Sequence, residues 1–233
     1  MPFLLGLILG SFLSVLSYRY PRRTQFLAGR SFCPKCKAKI PWFDNIPLLS
    51  FIFLGGRCRS CRKRISLRYP MIELVTGIAF TLLWPNLTDL IIFSILFLIF
   101  IIDLEYQIIP DPLVFLGLLF SPFANLPAGF LAASFLLLIH LITRGKGMGL
   151  GDVKFAVLGG ALIGIKLMPL WLFLSFLTGA LVAIILVLWR KKGLKDKIAF
   201  GPFLVIGIAA SLWLSSLSWF RSYLSLFFWE WPF

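Results

Sequence analysis

Long apolar runs, separated by short polar segments, set the pattern of this chain. Runs near 2–18, 70–84, 88–103, 112–125, 127–143, 152–165, 168–189 and 199–215 carry few charges. Each is a candidate membrane helix, because an apolar stretch without a polar face has nothing to offer water. Several are shorter than the roughly 20 residues that a straight crossing needs. Pro110, Pro112, Pro122, Pro127, Pro169 and Pro202 fall at breaks or first-turn positions. The pattern predicts an all-α integral membrane protein with about eight transmembrane helices. It divides into a first transmembrane helix over 1–19, a polar loop over 20–69, and a multi-helix membrane region over 70–233. The tail from Ser216 to Phe233, rich in Trp and Phe and holding Arg221 and Glu230, reads as interfacial rather than as a ninth span.

Composition supports this and excludes a water-soluble fold. Of 233 residues, 60% are hydrophobic and only 14% charged, more apolar surface than a soluble domain of this size can bury. The formal net charge is +14. Such a balance can signal nucleic acid, but here the basic residues sit in loops between apolar runs. They report topology and anionic headgroups instead, so no nucleic-acid partner is expected. Thirteen Lys and Arg against the single acid Asp44 occupy 19–69, and Arg190, Lys191, Lys192, Lys195 and Lys197 form a second basic cluster. The positive-inside rule puts 19–69, 104–111, 144–151 and 190–198 in the cytoplasm and both termini outside. The apolar run at 2–18 precedes its basic cluster, the reverse of a secretory signal, so it reads as a first span rather than a removable leader.

The loop over 20–69 holds all four cysteines, Cys33, Cys36, Cys58 and Cys61, as C-x2-C, twenty-one residues, C-x2-C. Each short turn can offer two thiolates to one ion, the spacing of a tetrahedral structural zinc site. Free thiols or a redox pair are the alternatives. A reducing compartment disfavours a disulfide. Surrounding Lys and Arg favour the thiolate form.

Two acids stand at the ends of apolar runs. Asp103 closes the run from Leu90 to Ile102, and Asp152 opens another after Gly149-Leu150-Gly151. Ionisable groups at membrane helices are costly and need a reason. Two carboxyls brought together there can share a proton, one serving as acid and the other as base for water. The plainer reading makes Asp152 a helix cap and Asp103 a polar helix end. Gly149 and Gly151 shift the balance by permitting close backbone approach beside Asp152. Lys154 can bias the charge of Asp152 or simply snorkel. His140, in an apolar run, reads as a packed or capped residue. Gly6/Gly10 and Gly160/Gly164 match a small-residue packing motif.

In this order the motifs resemble the type IV prepilin leader peptidases. The matching stretches are Gly10-Ser11-Phe12-Leu13, the cysteine loop with Trp42-Phe43-Asp44-Asn45-Ile46-Pro47, and Gly55-Gly56-Arg57-Cys58-Arg59-Ser60-Cys61. Arg68-Tyr69-Pro70 with Glu73, Ile102-Asp103, Ile109-Pro110-Asp111, Gly149-Leu150-Gly151-Asp152-Val153-Lys154 and Phe200-Gly201-Pro202-Phe203 follow. Ser14 and Glu105 depart from residues usual in the family. The resemblance implies a membrane aspartyl peptidase of the GxGD type, with Asp103 and Asp152 catalytic and a four-cysteine zinc cluster on Cys33, Cys36, Cys58 and Cys61. It implies removal of the leader from type IV prepilins or pseudopilins at the cytoplasmic face of the bacterial inner membrane. Methylation of the new N-terminus with S-adenosylmethionine follows, with Gly55 and Gly56 as candidate positions for that step. Asp44, Glu73, Glu105 and Asp111 are candidate contacts for a basic leader. The alternatives are a GxGD membrane peptidase without methyl transfer, and a non-enzymatic, zinc-clamped membrane scaffold or transporter.

Overall fold

The computed structural model describes residues 1–22, 31–189 and 198–216. The predicted interfacial tail beyond Ser216 and the basic cluster at 190–197 lie outside the described residues. Nine α-helices occur among those that are described: α1 (Pro2–Arg19), α2 (Leu49–Phe53), α3 (Arg68–Leu83), α4 (Leu87–Tyr106), α5 (Asp111–Leu119), α6 (Leu126–Ile142), α7 (Leu150–Ile163), α8 (Met168–Leu188) and α9 (Gly201–Ser216). No β-strand forms among them; two isolated antiparallel bridges, Phe32 with Lys39 and Arg57 with Arg64, are the extent of sheet pairing. All helices but α2 are centred on the apolar runs, and α2 lies in the polar loop.

Three helices, Pro2–Arg22 with its terminal 3₁₀ turn, Leu87–Tyr106 and Met168–Leu188, are long and apolar enough to cross a bilayer by themselves. Leu126–Ile142 and Gly201–Ser216 are apolar but shorter. The run predicted over 112–125 yields only the nine residues of α5. At 1.5 Å per residue it extends about 14 Å, half the hydrocarbon thickness. Pro122 and the turn before it end that helix early.

The chain forms two compact units, Met1–Ser94 and Ile95–Phe233, dividing within α4. In the first, α1 packs along α3. The contact is made by glycine: a Cβ on Gly6 would stand 2.6 Å from the Thr76 carbonyl oxygen, and one on Gly10 2.8 Å from the Glu73 Cα. The two backbones therefore touch. Ser14 and Ser17 are buried on the same face and return their hydroxyls to the Ser11 and Ser14 carbonyls. Leu4, Ile8 and Phe12 point outward, each at least 44% exposed. Small and polar side chains inside, large apolar ones outside: that inversion suits lipid as solvent.

In the second unit α6 pairs with α7 and α8 with α9, while α7 also meets α5 and α9. Gly160 lies against the Gly129 backbone, so this predicted small residue does pack helices. Gly164 instead ends α7 at φ +76. Trp171, fully buried, donates its indole N–H to the Leu204 carbonyl at 2.9 Å and ties α8 to α9. Phe173, Leu177, Leu181, Ile184 and Leu188 form an exposed stripe along α8. With three long apolar helices and outward apolar stripes, this is a multi-pass membrane protein.

Candidate active site and metal centre

The second unit gathers the two aspartates. Asp103 does not end its helix as the run suggested. The helix continues one turn to Tyr106, and Gln107 stops it at φ +56 with its N–H on the Asp103 carbonyl at 2.8 Å. Asp103 is 4% exposed. Its Oδ2 accepts a hydrogen bond from the Gly201 N–H at 2.9 Å. That donor opens α9, where the first amides of a helix have no partner within it. Asp152 is the third residue of α7 and 9% exposed. Its Oδ2 accepts from the Gly149 N–H at 3.1 Å; Gly149, not Asp152, is the N-cap, and Asp152 supplies the return bond from the third position of the helix. Neither Oδ1 meets a hydrogen-bond donor among the described residues.

Neighbouring glycines stand beside both acids. A Cβ on Gly201 would sit 2.6 Å from Asp103 Oδ2 and 3.2 Å from Ile109 Cδ1, and one on Gly151 3.3 Å from Ile109 Cβ. Ile109, 8% exposed, therefore wedges between the backbones that carry or hold the two acids. The approach to Asp152 is braced as well. His140 Nδ1–H donates to the Met148 carbonyl at 2.7 Å, and the Gly147 N–H donates to Thr143 Oγ1 at 3.1 Å. His140 thus holds the turn before Gly149 through this hydrogen bond, in keeping with a packed or capped residue. Gly201 and Ile109 were visible in the sequence only as parts of short motifs. Their contact with the acids depends on residues up to 98 positions apart.

The other acids are engaged locally. Lys154 Nζ bonds both oxygens of Asp111 at 2.9 and 2.8 Å, not Asp152. Asp44 takes a two-pronged contact from Arg59, 2.6 Å on each arm, which holds its carboxyl below the usual range. Glu73 Oε2 accepts the Leu48 N–H at 2.9 Å.

In the first unit the four cysteine sulfurs lie within 4.8 Å of one another. Two matching turns deliver them. The Lys37 N–H meets the Cys33 carbonyl at 2.8 Å and the Arg62 N–H the Cys58 carbonyl at 2.9 Å. Lys37 and Arg62 both take left-handed φ, +62 and +56. Burial pushes the Cys33 thiol up, but the Cys36 and Lys35 amides and the adjacent thiols outweigh it and bring it down to about 7. The Ala38 amide pulls Cys36 down, yet burial and the three other thiols push it up to about 11. Four thiols this close cannot all ionise without a cation among them. The cluster could bind a metal ion.

Beside the cluster is a cavity of about 520 Å³, walled by Ser11, Tyr18, Phe51, Tyr69 and Glu73 among others. Gly55 and Gly56 do not line it. Gly56, at φ +66, backs the Phe51 ring 3.0 Å from its would-be Cβ, and Gly55, at φ +58, faces open space.

A helical membrane protein with two neighbouring buried aspartates and a separate four-cysteine cluster is the class that this architecture defines. Comparison with known proteins agrees. The bacterial peptidase A24 N-terminal domain matches residues 4–87, and the type IV leader peptidase family matches residues 90–184. The chain belongs to the type IV leader peptidase family. Curated relatives carry the name prepilin leader peptidase/N-methyltransferase. One from Aeromonas salmonicida (strain A449) is 35% identical, covering 96% of this chain and 92% of its own. One from Pseudomonas aeruginosa is 33% identical, covering 95% and 91%. One from Bacillus subtilis (strain 168) is 34% identical, covering 88% and 90%. No solved structure matches the chain.

Proposed function

We propose that this chain cleaves the leader from type IV prepilins or pseudopilins with Asp103 and Asp152 as the catalytic pair, and then methylates the new N-terminus. The observation that carries the reading is the placement of two buried carboxyls, each with Oδ2 fixed by a backbone N–H, beside glycine backbones that both pack on Ile109. Between them they hold one proton. A water between the Oδ1 atoms loses a proton to the ionised member and attacks the scissile carbonyl carbon. The protonated member donates to the carbonyl oxygen. The C–N bond then breaks as the departing nitrogen takes a proton from one member of the pair and a hydroxyl of the tetrahedral diol returns a proton to the other, which restores the one-proton pair. Both acids lie within a turn of a helix end, which suits a bond where a substrate's membrane helix meets water. The basic loops support a multi-pass topology with that end at the cytoplasmic face of the inner membrane, in which α5 is too short to cross by itself.

The donor set fits zinc. A tetrahedral thiolate site places its sulfurs about 3.8 Å apart, and Cys33 and Cys61 are 4.0 Å apart. Cys33, Cys36, Cys58 and Cys61 would hold it, and its role is to fold a loop with little core. The cavity beside it suits the second reaction. Its volume and its aromatic walls of Tyr18, Phe51 and Tyr69 suit a nucleoside-sized ligand, with Glu73 available to a cationic centre and Lys35, Lys39, Lys63 and Arg64 in the lining available to a carboxylate on the same ligand. When bound there, S-adenosylmethionine supplies the methyl group. Segment 20–69 with its flanking helices thus serves methyl transfer, and the region from 70 onward serves peptidolysis.

The test is cleavage of a prepilin by the wild type, Asp103→Asn and Asp152→Asn in membranes. Loss in both, with normal insertion, sustains the pair. Near wild-type cutting by either variant makes that residue structural and removes the mechanism.

A further inference from the structure

The short helix α2 and the turn before it expose an apolar face that nothing among the described residues of the first unit covers. Trp42 is 75% exposed, Ile46 40%, Leu49 52%, Ile52 69% and Phe53 85%. Within α2, Leu49, Ile52 and Phe53 recur at i, i+3 and i+4 on one side, while Phe51 and Leu54 turn the other way into the cavity wall. An apolar face this size on a loop otherwise made of Lys, Arg and cysteine calls for a partner.

Two observations say which. The first is depth. The Leu48 N–H, just before α2, is bound to Glu73, the sixth residue of α3. That is about 7–8 Å along the helix axis from its start. At this level α3 already turns Met71, Leu74 and Val75 outward, exposed and apolar. The backbone just before α2 is therefore pinned beside α3 at the level where the exposed apolar side chains of α3 begin. The second is charge. Lys35, Lys37, Lys39, Arg57, Arg59, Arg62, Lys63 and Arg64 are all exposed on the same loop, against the lone Asp44, which Arg59 already neutralises. Aromatic and branched apolar residues with a basic surround are the make-up of a surface that sits in the headgroup layer of an anionic bilayer.

We propose that Trp42, Ile46, Leu49, Ile52 and Phe53 dip into the interfacial layer of the surrounding membrane. The metal-binding loop then lies on an anionic lipid surface rather than standing free in water. The reading needs neither the peptidase nor the methyl-transfer assignment, and its test reads no activity.

The full chain is reconstituted in vesicles of phosphatidylethanolamine and phosphatidylglycerol with the photo-reactive residue p-benzoylphenylalanine replacing Phe53, Ile52 or, as a control at a knuckle tip, Lys37. After illumination, lipid adducts are counted by mass spectrometry. Positions 53 and 52 are expected to give at least about fivefold more lipid adduct than position 37. That yield should fall about twofold or more when phosphatidylcholine replaces both lipids. Two neighbouring positions guard against a local distortion at one of them. Equal lipid yields at 53, 52 and 37 would overturn the proposal, as would adducts at 53 and 52 to a second copy of the chain or to an added prepilin in place of lipid. Yields that do not depend on phosphatidylglycerol would overturn the anionic assignment.

Discussion

The cysteine loop and the helical unit of Ile95–Phe233 solve the same problem by opposite means. The loop has little to bury: Cys33 is its one buried apolar side chain among the described residues. Two sharp turns aim four thiols at one point, where a metal ion could bind, and the Glu73 carboxylate pins the backbone at Leu48. The helical unit has no such cross-link. It is held by close contact, with Trp171, Phe155, Leu158 and Leu204 fully buried and glycine at the tight crossings. The difference teaches where each region is fragile. Removing one ligand should undo the loop as a whole, whereas the helical unit should tolerate the loss of either carboxyl and change only in chemistry.

The largest effect expected is on that separation. Asp103→Asn and Asp152→Asn should each lower leader cleavage by at least about 10³-fold yet leave methylation of a pre-cleaved peptide within about twofold. Parallel assays on one preparation check both. If methylation falls along with cleavage, the two regions do not work independently. Next, Cys58→Ser should release the bound metal and reduce methyl transfer to about a tenth or less, with cleavage largely kept. Metal analysis beside the two assays decides it.

Gly201→Ala sharpens the comparison from within the helical unit. The added methyl would displace the Asp103 carboxylate without opening a cavity. The expected result is a fall in kcat of about 10- to 100-fold with KM little changed, and near-normal thermal stability. A rise in KM alone would place Gly201 in substrate binding instead. His140→Ala frees the Met148 carbonyl at the turn before Asp152, for a loss of about 1 kcal/mol in stability and a few-fold drop in cleavage, read by thermal denaturation and kinetics. The smallest effect belongs to Asp111→Asn. Its exposed pairing with Lys154 contributes little, and cleavage of a basic leader should change by less than about threefold.

How far these features could be read from residues alone follows their range in the chain. Cys33-x-x-Cys36 and Cys58-x-x-Cys61 are local patterns, and their purpose is legible because two ligands per turn is a property of a few adjacent residues. The apolar runs announce helices for the same reason. Their ends were less legible. Asp103 looked terminal since the run of apolar residues stops there, yet backbone hydrogen bonding carries α4 on to Tyr106. Asp111–Leu119 looked like part of a span because hydropathy does not register the turn at Ser121-Pro122.

By itself the sequence determined the solvent, the helices, the thiol cluster and the two acids as chemically costly positions, since hydropathy, charge and short-range spacing act within a few residues of each other. Only the tertiary structure decided that the Gly201 amide holds Asp103, that Ile109 separates the two glycine backbones beside the acids, that Lys154 serves Asp111 rather than Asp152, and that Gly56 buttresses a cavity wall it does not line. Each of these depends on helices meeting at particular angles and heights. That is settled by packing summed over whole faces, which no short stretch of sequence contains.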